Sequence, residues 1–309
     1  KPLRHRAGPA ACFRSNRLQQ PLVSIGMSVH NGENELLPTI RSLQNQTHHH
    51  WELILTDDGS TDHTVRIARN MDDSRIRVFS DGRNRKLPTR LNQCVSLSRG
   101  KYFARMDSGD LAYPERFAKQ VAYLESHPEI DLLATRIIIF AENGRVIGTY
   151  TFNQTHKEIC NRPISGFYFP HPTWVGRTGW FRKYPYRVDM HKSQDQEILL
   201  RTYKTCRFAC LPNILLGYQK KSLSLENILK SRYYFSKALL IRSILDKNYF
   251  LAAGVLENII KALIETFAIT TRLNYRILRH RSIPVAPQEI HRWQRVWNSC
   301  QENLHGNED

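Results

Sequence analysis

Three observations in the 309-residue sequence predict an α/β fold, a mostly parallel sheet flanked by helices with a helical appendage at its C-terminal end. Short apolar runs alternate with stretches of helical periodicity through the first half, the pattern of successive strand and helix units. Those runs end in polar, acid-bearing turns, where open parallel sheets place their ligands. From residue 225 the pattern is helical to about Arg281, before Pro284 and Pro287 break it.

Residues 22–29 form the first strand, and Leu36, Ile40 and Leu43 then fall at helical spacing, with Pro38 tolerable near the helix start. Residues 51–56 return as a strand. Ser60 or Thr61 can cap a helix carrying Val65 and Ile67, and residues 75–79 make the next strand. A helix with Leu91, Cys94 and Val95 closes on Gly100, which suits the left-handed position after a helix, and residues 102–104 start another strand. Pro114 opens the helix of Phe117, Val121 and Leu124, which ends near Pro128. Residues 132–140 are strand-like, and Asn143-Gly144 turns them into a hairpin with 146–150. Thr155-x-x-Glu158 has the form of a capping box. Residues 163–186, rich in Pro, Gly and aromatics, are expected as loops shaped around an acceptor. Residues 194–201 read as a helix, and 207–210 and 215–219 as two short strands around Pro212. Glu257, Lys261 and Glu265 interrupt the apolar stretch 249–269, whereas a membrane span needs about 20 predominantly apolar residues. The expectation is an amphipathic helix packed on the domain, in preference to one lying on a membrane.

Two of the acidic turns look like chemistry. Asp57-Asp58-Gly59 ends the second strand, and Asp107-Ser108-Gly109-Asp110 ends the strand that begins at 102. Oxygen-rich sites of this kind suit Mg²⁺ or Mn²⁺ with a phosphate-bearing ligand. Taken singly, either could be a solvated turn or a helix cap.

The segments PLVSIGMSVHN at 21–31, WELILTDDGS at 51–60 and GKYFARMDSGDLAYP at 100–114 together resemble the nucleotide-sugar half of the family 2 glycosyltransferases, which have the GT-A fold. The resemblance is strong over residues 21–133 and looser over 171–218. It implies a glycosyltransferase domain at 21–222, divided into a nucleotide-sugar half (21–133) and an acceptor half (134–222), after a loose basic tail (1–20) and before a helical region (223–309). It also implies an inverting, metal-dependent transfer of a sugar from a UDP-sugar to a glycan or lipid-linked acceptor, as in polysaccharide or cell-envelope glycan synthesis. By the same resemblance Asp58, with Asp57 beside it, accepts the uracil N–H, and Ser28 and His30 border the base and ribose. Asp107 and Asp110 would face the diphosphate and its Mg²⁺ or Mn²⁺, Asp107 foremost, because Gly109 stands where the family's Asp-x-Asp-Asp pattern has an acid. The run SQDQEI at 193–198 is similar to the family's Glu-Asp motif. It makes Asp195 the catalytic base, with Gln194 in place of the Glu and Glu197 as a spare carboxylate; His171-Pro172-Thr173 would border the site. A purely structural Asp195 would be a first-turn acid complementing the helix dipole.

The net charge of +17 is unevenly placed. Residues 172–222 hold ten basic against three acidic residues, while 21–171 are nearly balanced. A nucleic-acid reader concentrates its basic residues on the recognition surface, so the balanced motif-bearing half argues against nucleic acid and for an anionic membrane or phosphate-bearing acceptor. A nucleotidyltransferase and a non-catalytic basic nucleic-acid-binding protein are the competing readings. The six cysteines lack paired zinc spacing and are expected as reduced thiols, and His48-His49-His50 as a solvated turn. Residues 1–20 hold no apolar run of signal-peptide type. The expected place is cytoplasmic, peripheral at the inner face of the membrane.

Overall fold

The computed structural model describes residues 20–220, 224–271 and 283–301. Most of the basic tail and the last part of the expected helix, 272–281, lie outside them. β1 (Val23–Val29), β2 (Trp51–Asp57), β3 (Ile76–Phe79) and β4 (Tyr102–Asp107) pair in parallel in the order β3-β2-β1-β4. Helices α1 (Leu36–Gln44), α2 (Thr64–Arg69) and α3 (Leu87–Leu97) make the crossovers. β1 and β2 are buried on both faces, which is why they read as near-continuous apolar runs.

Beyond β4 the sheet takes in short antiparallel pairings, but its long ladders stay parallel, as the expectation of a mostly parallel sheet requires. The two-residue β5 (Leu111–Ala112) and α4 (Arg116–Ser126) lead to β6 (Leu132–Phe140) and its hairpin partner β7 (Val146–Gly148). α5 (His156–Ile159) has the expected capping box. Then β8 (Val175–Arg177) inserts antiparallel between β4 and β6. After α6 (Thr178–Lys183) and α7 (Gln194–Thr202), β9 (Phe208–Gln219) runs parallel to β6 and antiparallel to β5. The expected pair of strands around Pro212 is one strand. Its register against β6 jumps from Leu211 to Ile214, because Pro212 has no N–H for the ladder and a bulge absorbs it.

Residues 163–186 are in part loop, with 165–172 bordering cavities, and in part core. Phe167, Phe169, Trp174, Trp180, Phe181 and Tyr186 are buried in the larger core cluster, where their area contributes more than any exposed contact would. His48 also departs from expectation. It is buried, with Nε2 2.9 Å from the Pro21 carbonyl, while His49 and His50 are exposed. Gly100 does not have a positive φ; it is glycine because a Cβ there would press on the Leu22 carbonyl and the Ser24 N–H. Ser60 and Thr61 do not cap α2 but bond Asn31, lacing the β1 and β2 turns together.

α8 (Leu225–Leu245) and α9 (Phe250–Thr270) form an antiparallel hairpin against α7 and the 3₁₀ turn Pro163–Ser165. Pro287 opens a further helix, α10 (Pro287–Gln301), as a first-turn proline can. Trp293 of α10 is fully buried against Tyr113 and Phe140, and its Nε1 donates to the Gly144 carbonyl at 2.8 Å. Gly217 of β9 lies under the Trp293 ring, with no room for a Cβ.

Candidate active site

The carboxyl ends of β1, β2 and β4 lie side by side because the registers align them: Ser28 is opposite Thr56 on one side and Asp107 on the other, and Val29 is opposite Asp57. Asp57 is buried and engaged within its own turn, accepting from Ser60 N at 3.0 Å and from the Ser80 hydroxyl at 2.7 Å. Asp58 Oδ1 accepts from Arg85 N at 2.6 Å and from Arg90 Nε at 3.1 Å. Arg90 is itself fully buried, so Asp58 is held as an oriented, charge-balanced carboxylate at the strand end. Ser28 is half-buried beside these turns, and His30, just past β1, is exposed.

A second group converges from the other end of the sequence. Asp107 and Asp195 line one cavity of about 530 Å³, together with Arg105, His171, Gln194 and Tyr218. Asp57, Asp58, Ser28, His30 and Asp110 are not on its wall. Asp195 stands in the first turn of α7, after Ser193, whose left-handed backbone (φ 54°) is held by a 3.0 Å bond from its hydroxyl to the Ser231 carbonyl. Its Oδ2 accepts from Gln196 Nε2 at 3.1 Å, and Gln196 Oε1 accepts from Phe167 N at 2.7 Å, so the carboxylate has a fixed direction. Burial raises the Asp195 pKa, with the Gln196 bond only partly opposing it. The spare carboxylate Glu197 lies elsewhere, buried against Arg201 in an i,i+4 pair and off the cavity wall. His171 does border the cavity; burial, with Arg105 nearby, pushes its pKa well down, and its Nε2 meets the Tyr186 hydroxyl at 2.9 Å.

Arg105 lines the same cavity and is not among the residues that the sequence motifs single out. The residue is 1% exposed, and its guanidinium pairs with Asp107 Oδ1. The available signal was a lone basic residue in the otherwise apolar strand YFARMD. Arg116, also fully buried, ties this strand down by donating to the carbonyls of Arg105 at 2.8 Å and Pro172 at 2.9 Å.

The turn after Asp107 concentrates polar atoms without partners. Among the described residues, Arg105 Nε, Ser108 Oγ, Asp110 Oδ2 and Gln219 Oε1 are buried with no hydrogen-bond partner, a density that ordinary packing avoids. Asp110 is 2% exposed, its Oδ1 accepts from Gln219 N at 3.0 Å, and burial followed by the nearby Asp107 charge pushes its pKa well up. Gly109 has φ 96°, and a Cβ there would meet Gln219 Oε1, with Glu35 Oε2 3.1 Å away. The space of the family's usual acid is thus filled by a glutamine amide from β9. Among the described residues no three His, Cys, Asp or Glu groups gather as a metal cage. A divalent ion at this turn would have Asp107, already paired with Arg105, as its protein ligand, with its other positions left to phosphate oxygens and water, as Mg²⁺ tolerates.

Comparison with known proteins identifies the family and the fold. The Glycosyl transferase family 2 profile matches residues 24–185, just over half of the chain. The putative glycosyltransferase EpsE of Bacillus subtilis is 41% identical over 127 residues, 40% of this chain and 46% of EpsE, so the chain matches about half of that relative's length. The O-antigen biosynthesis glycosyltransferase WbnJ of Escherichia coli is 27% identical over 251 residues, 71% of this chain and 97% of WbnJ. In fold, residues 1–349 of S. aureus TarS in complex with UDP-GlcNAc superpose with a TM-score of 0.60 at 17% identity, covering 89% of this chain and 79% of that one. With sheet order, superposition and profile in agreement, the chain has the GT-A fold and belongs to glycosyl transferase family 2.

Proposed function

We propose that the protein transfers a sugar from a UDP-sugar to a hydroxyl of a glycan or lipid-linked acceptor with inversion at the anomeric carbon, on the inner face of a cell membrane during envelope glycan synthesis. The observation that carries this reading is the meeting of Asp107 and Asp195 in one cavity. The donor class is supported by the UDP-GlcNAc complex of TarS, and the pathway class by WbnJ. Asp58, fixed by Arg90, is oriented to accept the uracil N–H, with Ser28 and His30 at the base and ribose edge. Asp57 supports that turn from beneath.

Asp195 takes the proton of the acceptor hydroxyl as its oxygen bonds to the anomeric carbon; the bond from that carbon to the diphosphate oxygen breaks and its electron pair leaves with UDP. A carboxylate whose pKa is raised by burial is a stronger base than a solvated one and suits this step. Mg²⁺ or Mn²⁺ bound at Asp107 would neutralise the charge growing on the diphosphate. Arg105, beside Asp107, contributes a fixed positive charge at the same place. His171, held neutral, donates or accepts a hydrogen bond without adding charge.

Thermal unfolding with UDP tests the donor side. UDP should raise Tm more with Mn²⁺ than with EDTA, and Asp107→Ala should remove the difference. Equal shifts in Mn²⁺ and EDTA would refute the metal at Asp107. A panel of nucleotide sugars assayed for hydrolysis identifies the sugar.

A further inference from the structure

α9 packs on the domain through a mixed face, on which Leu251, Gly254 and Ala268 are buried together with polar side chains. The side facing the protein carries Asn258 and Glu265, both buried and both bonded to Arg232 of α8, at 3.2 Å and 2.7 Å. Gly254 on that side brings the helix close to the Ile164 carbonyl. The opposite side holds Leu256, Ile259, Ile260, Leu263, Ile264 and Phe267, each about half exposed or more, at the three- and four-residue spacing of one helix face and with no charged residue among them. At the hairpin tip Ile244, Leu245, Tyr249 and Phe250 are 65–76% exposed and extend this surface onto α8. Monomeric proteins rarely leave so large an apolar patch to water. No helix among the described residues is long and apolar enough to cross a membrane.

We infer that the outward face of the α8–α9 hairpin docks on an anionic lipid bilayer, lying in the plane of the membrane. This gives the membrane part of the proposed function a specific surface, and it rests on that reading for its purpose only. Charge selects the occupant. The chain carries +17, and residues 272–282, which follow α9, contribute four arginines and no acid. A second copy would bring like charge to like, whereas anionic headgroups complement it. Tyr249 and Phe250 at the tip are the aromatic side chains that favour a membrane interface. The same hairpin borders the active site: Ser231 and Arg232 of α8 and Lys261 of α9 line a cavity of about 460 Å³ that shares Phe167, Tyr168 and Gln196 with the cavity of Asp195. An acceptor anchored in lipid would therefore reach the site along the surface that holds the enzyme.

The full chain is floated with vesicles of equal parts phosphatidylcholine and phosphatidylglycerol, and with phosphatidylcholine alone. Binding to the anionic vesicles that weakens as salt rises is expected. Leu256→Glu with Leu263→Glu should lower it at least about tenfold. Both positions are exposed, so Tm and the UDP response should be unchanged. Wild-type flotation by the double variant, or no flotation of the wild type at low salt, would overturn the docking face. So would a dimer in light scattering that the double variant dissociates, since a second copy would then cover the face. A UDP response that persists while flotation fails leaves the transferase reading standing; loss of the UDP response from the wild type would count against that reading instead.

Discussion

Replacing Asp195 by Asn separates catalysis from everything else this residue could do. Asn keeps the shape and an oxygen to accept from Gln196, so the 3.1 Å bond and the entry to α7 should survive. It cannot take a proton. Loss of a general base costs about 10²–10⁴-fold, or roughly 3–5 kcal/mol of barrier, and transfer should fall by that much while UDP binding stays normal. Two further readouts distinguish a base from a helix-dipole acid. A raised pKa means that the folded state disfavours the charged carboxylate, so its stabilising contribution is present at low pH and is lost as pH rises through the folded value. Neutral Asn should therefore leave stability at neutral pH unchanged or higher. A dipole-complementing acid would instead lose about 0.3–1 kcal/mol on neutralisation. The wild-type rate should also fall on acidification from a higher pH than an ordinary aspartate would give, with that limb absent in the variant. Transfer by the Asn variant at the wild-type rate would refute the assignment.

Gly109→Asp, which restores the family's usual acid, should destabilise the protein by about 1–2 kcal/mol from the left-handed backbone alone, and by more from collision with Gln219. Adding Gln219→Ala should recover the second part and not the first, as read by urea unfolding. Trp293→Ala should cost about 3–5 kcal/mol, because the indole fills the space between β5, β9 and α10 and its N–H is bonded to Gly144; a loss under 1 kcal/mol would mean that α10 is not part of the folded unit.

Local chemistry made much of this protein legible from its residues. Strand and helix alternation, the acids at strand ends and the capping box at Thr155 depend on neighbours within a few residues, and each forms where expected. The Asp195 helix was likewise readable, because a polar first turn before an apolar stripe is a local signal. Other features were decided by partners distant in sequence. β8 is three residues long and is a strand only because β4 and β6 flank it. The aromatics of 163–186 became core because the sheet and α7 closed over them, a burial that composition cannot distinguish from a ligand loop. Arg105 acquired its place on the cavity wall from the fold, which pays for a buried guanidinium with Asp107. The outward apolar face of α9 was hidden for the same reason: periodicity shows that two faces differ, but only packing shows which one meets the protein, and here Arg232 draws Asn258 and Glu265 inward. Most of all, the distance between Asp107 and Asp195 belongs to the tertiary structure, since no local interaction links a turn after β4 to the first turn of α7.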